Sequence, residues 1–328
     1  MYPLKFENLY YEKVWGGRNL EKFRDNLPEG NIGESWDVAC HLNGTSVVLN
    51  GDYKGTRLDD LIKLQGEKLI GTKIYEDKFP LLIKLIDASD KLSIQVHPND
   101  EYLRIEGEFG KTEVWYILDA NEESKLILGT KSIYTKEEMK AAIENGTLEE
   151  HINEISVKKG QVYFVKSGLI HAIGRGIVIA EIQQNSDTTY RVYDYNRGRE
   201  LHVNKALDVI DLSLKGEESK GLIATKEGYS KTYLCLCREF SLELYNIQNM
   251  AKEKSDKERF FIFTCVDGEG EIIYSNGIVN NINIKRGDSI LIPAFLGEYT
   301  LNGKMKLLKS YVPDMQKVEE QILSEVKK

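Results

Sequence analysis

The run Leu92-Ser93-Ile94-Gln95-Val96-His97-Pro98-Asn99-Asp100 reads as a strand that ends in a proline turn. Successive side chains of a strand point to opposite faces, so Gln95 and His97 share one face and Ile94 and Val96 the other. An amide oxygen and an imidazole on one face make a ligand pair. Glu113 follows in a second strand-like run, Glu113-Val114-Trp115-Tyr116-Ile117-Leu118, and His171 follows Gly160-Gln161-Val162-Tyr163-Phe164-Val165-Lys166-Ser167-Gly168. Two imidazoles, one carboxylate and one amide oxygen form a mixed N/O set suited to zinc or another divalent first-row ion.

A lone histidine in a strand is more often a hydrogen-bonded structural residue, and the four positions are far apart in sequence. Context favours the metal. Gly160 opens a hydrophobic strand that ends in the turn Lys166-Ser167-Gly168, and His171 begins the next one. With Gln95-Val96-His97 upstream, the pattern resembles the cupins, small double-stranded jelly rolls that hold a metal at the barrel mouth. It departs from them at Lys166, where the second cupin motif usually carries proline, a change that affects the turn and not the ligands. The spacing of that motif recurs in Gly287-Asp288-Ser289-Ile290-Leu291-Ile292-Pro293, yet no histidine follows His202.

With 328 residues, 41% of them hydrophobic, the chain is long enough for two domains with real cores. Its 44 lysines and arginines stand against 52 aspartates and glutamates, a formal charge of −8. That balance argues against general affinity for nucleic acid or an anionic membrane, so an anionic ligand must meet a local basic cluster. The start Met1-Tyr2-Pro3-Leu4-Lys5-Phe6 lacks a long apolar core, and no apolar stretch approaches the ~18 residues of a membrane span. A cytoplasmic location is expected, with Cys40, Cys235, Cys237 and Cys265 as reduced, buried thiols.

Residues 1–55 alternate short apolar runs with glycine and asparagine turns, where Trp15, Glu34 and Trp36 either pack or line a sugar pocket. Thr56-Arg57-Leu58-Asp59 opens a helix expected to reach about Leu69. The strand from Phe79 to Asp87 carries Lys84 among apolar neighbours, and a lysine there either reaches the barrel mouth or extends to solvent; the mouth is the favoured reading. Thr135-Lys136-Glu137-Glu138 caps a helix that stops at Gly146, and Thr147 begins a second short one. Strands return from Ile155 to Tyr195, a short helix runs over 204–211, and the charged stretch 215–229 reads as a linker. Strands then recur, including 259–266 and 271–274, before a charged helix or tail over 313–328.

Ser93-Ile94-Gln95-Val96-His97-Pro98-Asn99-Asp100, Lys111-Thr112-Glu113, Gly168-Leu169-Ile170-His171-Ala172 and Gln184-Asn185-Ser186-Asp187-Thr188-Thr189-Tyr190-Arg191 together resemble the signatures of the type I mannose-6-phosphate isomerases, in their short bacterial form. The resemblance implies a mainly β fold of two cupin-type jelly-roll barrels with a few short helices inserted in and after the first. Residues 1–230 would be the metal-binding catalytic domain. Residues 231–328 would be a metal-free cupin-like companion, structural or dimerising, so a homodimer is an open expectation. The implied activity is interconversion of mannose 6-phosphate and fructose 6-phosphate at one Zn2+ per chain, held by Gln95, His97, Glu113 and His171. Arg191, Glu181 and Lys111 would be catalytic, while Trp15, Glu34, Lys84, Ser93 and Asp187 would bind substrate. The expected partner is a hexose phosphate, with neither nucleic acid nor membrane.

Aldose–ketose isomerisation moves a proton between C1 and C2 through an enediol, so negative charge grows on the sugar oxygens. Preorganised cations stabilise that charge in a site that excludes water. Glu181 is the first candidate for the proton-carrying base and Lys111 the second; the alternative for Glu181 is a structural ion pair with Arg191. Arg191, Lys84 and Ser93 are candidates for the phosphate, since all three donate to phosphate oxygens. Tyr193, Tyr195 and Arg197 either face the sugar or pack. Two alternatives share the ligand set: a metal-dependent cupin dioxygenase, and a sugar-binding regulatory protein without turnover.

Overall fold

Alternating and continuous apolar runs become strands in the computed structural model of the chain, which describes residues 1–76, 78–104, 108–275 and 277–326. Among these residues the strands form sheets of nine, six, five and two members. The order in the six-stranded sheet is Val162–Val165, Glu113–Ala120, Ile177–Gln184, Leu81–Ala88, Ile32–Val38, Leu9–Gly17. The five-stranded sheet runs Ile152–Ser156, Lys125–Thr130, His171–Ile173, Ile94–Val96, Tyr190–Tyr193. All the pairings are antiparallel.

Ile177–Gln184 shows why these sequences fold this way. It is buried along its whole length, and its neighbours fix its register, with Glu181 opposite Lys84 on one side and Trp115 on the other. Strand alternation then splits its side chains between two cores. Ile177 and Ile179 pack with Trp115, Leu126, Leu128 and Ile173 between the six- and five-stranded sheets. Val178, Ala180 and Ile182 face the other way and join Leu242, Phe260, Ile262 and Leu308 of the last part of the chain. Each such side chain contributes roughly 1.5–3 kcal/mol on burial, so the shared core ties the nine-stranded sheet firmly to the six-stranded one. Ile94 and Val96 face a third cluster with Met139 and Ala206, on the far side of the five-stranded sheet from Gln95 and His97, as their alternation requires.

Several local expectations need correction. The helix expected from Thr56 to Leu69 is Leu58–Gln65, capped at Arg57 without a side-chain bond, and a separate turn of helix spans Glu67–Ile70. Asp59 is occupied by Arg57 at 3.0 Å, which leaves Thr56 no capping role. Thr135 does form a full capping box with Glu138. Thr147 makes no such bond for the short 3-10 turn Leu148–Glu150. The expected linker contains the strand Leu222–Lys226, which pairs with Tyr229–Leu236. The two strands expected between 259 and 274 are one, Phe261–Ser275, with its register shifted between Cys265 and Asp267. At the other end of the chain Leu4–Lys5 pairs with Ser289–Ile292, binding the N-terminus into the nine-stranded sheet. Cys265 is buried, but the other three cysteines are only partly so. The terminal helix is Met315–Val326; Lys327 and Lys328 of the expected tail lie outside the described residues. No helix among the described residues is long and apolar enough to cross a membrane.

Candidate active site and metal centre

Three buried side chains meet between the six- and five-stranded sheets. Glu113 begins the strand Glu113–Ala120, His97 follows Ile94–Val96, and His171 opens His171–Ile173. One ligand atom from each lies within 4.8 Å of the others. His171 Nε2 is 3.6 Å from Glu113 Oε1, and His97 Nε2 is 3.7 Å from Glu113 Oε2. Around a tetrahedral ion with bonds of 2.0–2.2 Å, ligand atoms sit roughly 3.3–3.6 Å apart, so the observed spacing fits a single cation.

The backbone presents the correct atoms. His97 Nδ1 is 2.9 Å from the Thr188 carbonyl and His171 Nδ1 is 2.8 Å from that of Leu169. A carbonyl only accepts, so in both rings Nδ1 carries the proton and Nε2 keeps its lone pair free for a cation. Among the described residues, His97 Nε2 and both Glu113 oxygens are buried without a hydrogen-bond partner, which is costly unless an ion takes them up. Burial, with the nearby Lys111 charge and the second imidazole, holds His97 well below the usual histidine range. Burial likewise lowers His171 to about 4. Both rings are thus neutral at pH 7, the form that binds metals. Gln95 Nε2 lies 3.4 Å from His171 Nε2, while its oxygen accepts from Ser93 Oγ at 3.2 Å. A half-turn of the amide exchanges the two and brings the oxygen to the ligand cluster.

Two turns hold these strands together. Gly168, at φ +89°, donates its N–H to the His97 carbonyl at 2.9 Å, a conformation open to glycine and strained for other residues. Pro98 accepts from Lys111 N at 2.9 Å, and Asp100 accepts from Gly110 N and from Gln184 Nε2 at 2.7 and 3.0 Å. Gln184 in turn accepts from Thr112 N at 3.0 Å. Pro98, Asp100 and Gln184 therefore brace Gly110, Lys111 and Thr112.

Beside the ligands lies a cavity of about 250 Å³, lined among others by Trp15, Glu34, Lys84, Ser93, Gln95, Lys111, Glu181, Asp187 and Arg191. Of the residues singled out in the sequence, these nine line the cavity, with His97, Glu113 and His171 clustered beside Gln95 and Lys111. Lys84 is buried on the cavity face, 3.6 to 3.8 Å from Glu34, Glu181 and Asp187 and 4.9 Å from the centre of the Trp36 ring. Lys111 stands 3.2 Å from Glu113. Burial alone would lower its pKa, but the carboxylates of Glu113 and Glu181 raise it above the ordinary lysine value, so it is a fixed cation. Burial works against the charge of Glu34 as well, yet Lys84 and Lys13 bring it down to about 2.

Glu181 differs from both. Its Oε2 accepts from Trp115 Nε1 at 3.0 Å, while its Oε1 is buried without a hydrogen bond. Burial first, and then the Glu113 charge, push its carboxyl up to about 7. The alternative of an ion pair with Arg191 is not what forms; its near cation is Lys84, at 3.7 Å. Arg191 Nε instead meets Ser93 Oγ at 3.3 Å, and Nη1 meets the Glu200 carbonyl.

Sequence reasoning missed Lys13, Trp115 and Arg199, which also line the cavity. Trp115 lies two residues after Glu113 in one strand, so the two share a face and Trp115 could have been found by that parity; Lys13 and Arg199 carried no local signal. Arg197 does not line the cavity but pairs with Asp90 at 2.6 Å, and Tyr193 and Tyr195 pack on each other.

Residues 4–129 match the family model for the catalytic domain of type I phosphomannose isomerase, and residues 229–312 that for the mannose-6-phosphate isomerase cupin domain. The mannose-6-phosphate isomerase ManA of Bacillus subtilis is 40% identical over 318 residues, covering 94% of this chain and 99% of that protein. The chain belongs to the type I mannose-6-phosphate isomerases. Another member, from Streptococcus mutans, is 34% identical over 94% of the chain and 98% of its own length. A crystal structure of the Bacillus subtilis isomerase superposes with a TM-score of 0.87 at 33% identity, over 94% of this chain and 99% of that one. A variant of the phosphomannose isomerase from Salmonella typhimurium shares the fold at a TM-score of 0.74 and 15% identity, over 95% of this chain and 100% of that one.

Proposed function

We propose that this isomerase interconverts mannose 6-phosphate and fructose 6-phosphate in the cavity between the two sheets, with one zinc ion held by Gln95, His97, Glu113 and His171. The observation that carries the reading is the set of buried lone pairs on His97 and Glu113 that lack a hydrogen-bond partner among the described residues, beside a cavity with cations on its walls. A bound divalent ion would supply a Lewis acid for the sugar oxygens on which enediol charge develops.

The remaining roles belong to the chain. Glu181 carries the proton between C1 and C2: one oxygen is positioned by Trp115, the other makes no hydrogen bond among the described residues, and a pKa near neutrality suits a group that must take up and return a proton. Lys111 is a poor base because its proton is held too tightly; it serves as a fixed positive charge near the reacting oxygens. Arg191 and Ser93, joined by their own hydrogen bond, offer donors to the phosphate. Lys84 balances the carboxylates of Glu34 and Glu181 and keeps them in one orientation. In this reading residues up to about 230 carry the reaction, and the last part of the chain is a metal-free companion.

The test is a coupled assay with mannose 6-phosphate, repeated after chelation and after restoring zinc, alongside metal analysis. Activity that is lost and regained with zinc supports the reading. Full activity in metal-free protein would overturn the metal assignment, and oxygen consumption in place of isomerisation would favour the dioxygenase.

A further inference from the structure

We propose that Gln183 is a positioning residue for the metal centre: its side-chain amide sets the loop 185–189, and that loop orients His97 through the Thr188 carbonyl. This role rests on the metal reading of His97, Glu113 and His171. The loop joins Ile177–Gln184 of the six-stranded sheet to Tyr190–Tyr193 of the five-stranded sheet, so it crosses from one sheet to the other beside the ligands. Asp187 and Thr189 on it line the cavity. Between them, the Thr188 carbonyl accepts from His97 Nδ1 at 2.9 Å.

Gln183 is fully buried. Alternation along its strand puts it on the face of Glu181, and the register sets it opposite Glu113. Its Nε2 donates to the Gln184 carbonyl at 2.8 Å and to the Ser186 carbonyl at 2.5 Å. Carbonyls only accept, so the amide has one orientation, with its nitrogen toward the loop and Oε1 turned away. Inside the loop Ser186 N donates to the Gln184 carbonyl at 2.7 Å, and Ser186 Oγ accepts from Thr188 N at 3.4 Å. Contacts thus run without a break from Gln183 through Ser186 and Thr188 to the His97 ring.

Gln183 Oε1 is buried with no hydrogen-bond partner among the described residues, which a native interior seldom tolerates. An apolar side chain of similar size would fill the space without that penalty, so packing alone does not account for an amide here. What the amide supplies is a pair of donated hydrogen bonds in a fixed direction, aimed at a segment that lies between two strands and belongs to neither. The position of the Thr188 carbonyl decides where the His97 Nδ1 proton points, and with it the direction of the Nε2 lone pair. Groups that orient a metal-binding imidazole in this way commonly account for about 10–100-fold in metal affinity.

The test is zinc titration of the metal-free full chain against a chromophoric chelator, for the parent, Gln183→Met and Ile182→Ala. Methionine is close to glutamine in length and volume but donates nothing. Ile182 is the adjacent buried residue on the opposite face, in the core shared with the nine-stranded sheet, so truncating it destabilises the chain without removing a bond to the loop. Gln183→Met should bind zinc about 10–100-fold more weakly, and the visible spectrum of its cobalt-loaded form should change with the geometry at His97. Its KM for mannose 6-phosphate should rise as Asp187 and Thr189 shift. Ile182→Ala should keep the parent's affinity and spectrum. Ser186→Ala removes the acceptor of Thr188 N; it should weaken zinc binding in the same direction, and it decides the question if Gln183→Met does not fold. Zinc affinity and cobalt spectrum unaltered in the deciding variant, or altered as much in Ile182→Ala, would make Gln183 merely structural and overturn the proposal. Failure of the metal reading would show separately, as a parent whose zinc binding survives His97→Ala.

Discussion

Replacing Glu181 by glutamine should raise stability at alkaline pH and destroy activity, because the same burial that prepares the carboxyl for proton transfer makes its charge expensive. Its pKa is about 7 in the folded protein, against an ordinary value of 4.5. Between those values the folded chain holds a proton that the unfolded chain has released, so stability falls as pH rises through the window. Some 2.5 pH units at 1.36 kcal/mol each amount to about 3 kcal/mol lost by pH 8. Glutamine cannot ionise, and its side-chain oxygen can still accept from Trp115. Glu181→Gln should therefore match the parent near pH 5 and exceed it by up to about 3 kcal/mol at pH 8. Urea unfolding followed by tryptophan fluorescence at both pH values, on chelated protein, measures this. Zinc beside Glu113 offsets the carboxylate charge that helps raise Glu181, so the gain should shrink in metal-loaded protein. Turnover should fall by about 10²–10⁴, the usual loss on removing a general base, and the parent's rate should rise with pH as Glu181 gives up its proton, at a lower pH than in the metal-free protein. The contrary account makes Glu181 the ionised partner of Lys84, and breaking a buried pair costs about 3–5 kcal/mol. A variant less stable than the parent at pH 8 would therefore refute the argument by its sign alone.

His97→Ala should lose bound metal and isomerase activity together, with the far-UV circular dichroism of the sheets retained; metal analysis and the coupled assay decide it. Arg191→Ala should keep the metal yet reduce turnover of mannose 6-phosphate by orders of magnitude, and loss of metal in that variant would make the Arg191–Ser93 contact structural. Asp100→Ala removes the acceptor for Gly110 N and Gln184 Nε2. It should cost about 1–3 kcal/mol in urea unfolding and raise KM as the Lys111 loop loosens; an unchanged KM would show that the brace is dispensable.

Much of the site was legible because strand parity is strict. Gln95 and His97 had to share a face once the run from Leu92 was taken as a strand, and the buried run around Lys84 pointed that lysine inward. Helix ends were less legible, since capping depends on which side chain arrives first: Thr135 and Glu138 satisfy each other, whereas near Thr56 it is Arg57 and Asp59 that pair. The strand Leu222–Lys226 was hidden by the charged residues that flank it, and its pairing with Tyr229–Leu236 is what reveals it.

The order of residues alone supplied the candidate ligand types and the common face of Gln95 and His97, which depend on residue identity and alternation along a few positions, and the motif resemblance pointed to the family. Only the folded chain decided that His97, Glu113 and His171 meet, that Trp115 holds Glu181 and that Lys84 is its neighbouring cation. Register across antiparallel strands, and the distance between two packed sheets, are set by side chains far apart in sequence. Protonation follows the same logic, since a carboxyl near 7 and one near 2 in a single cavity differ in burial and in neighbouring charge, which only three dimensions assign.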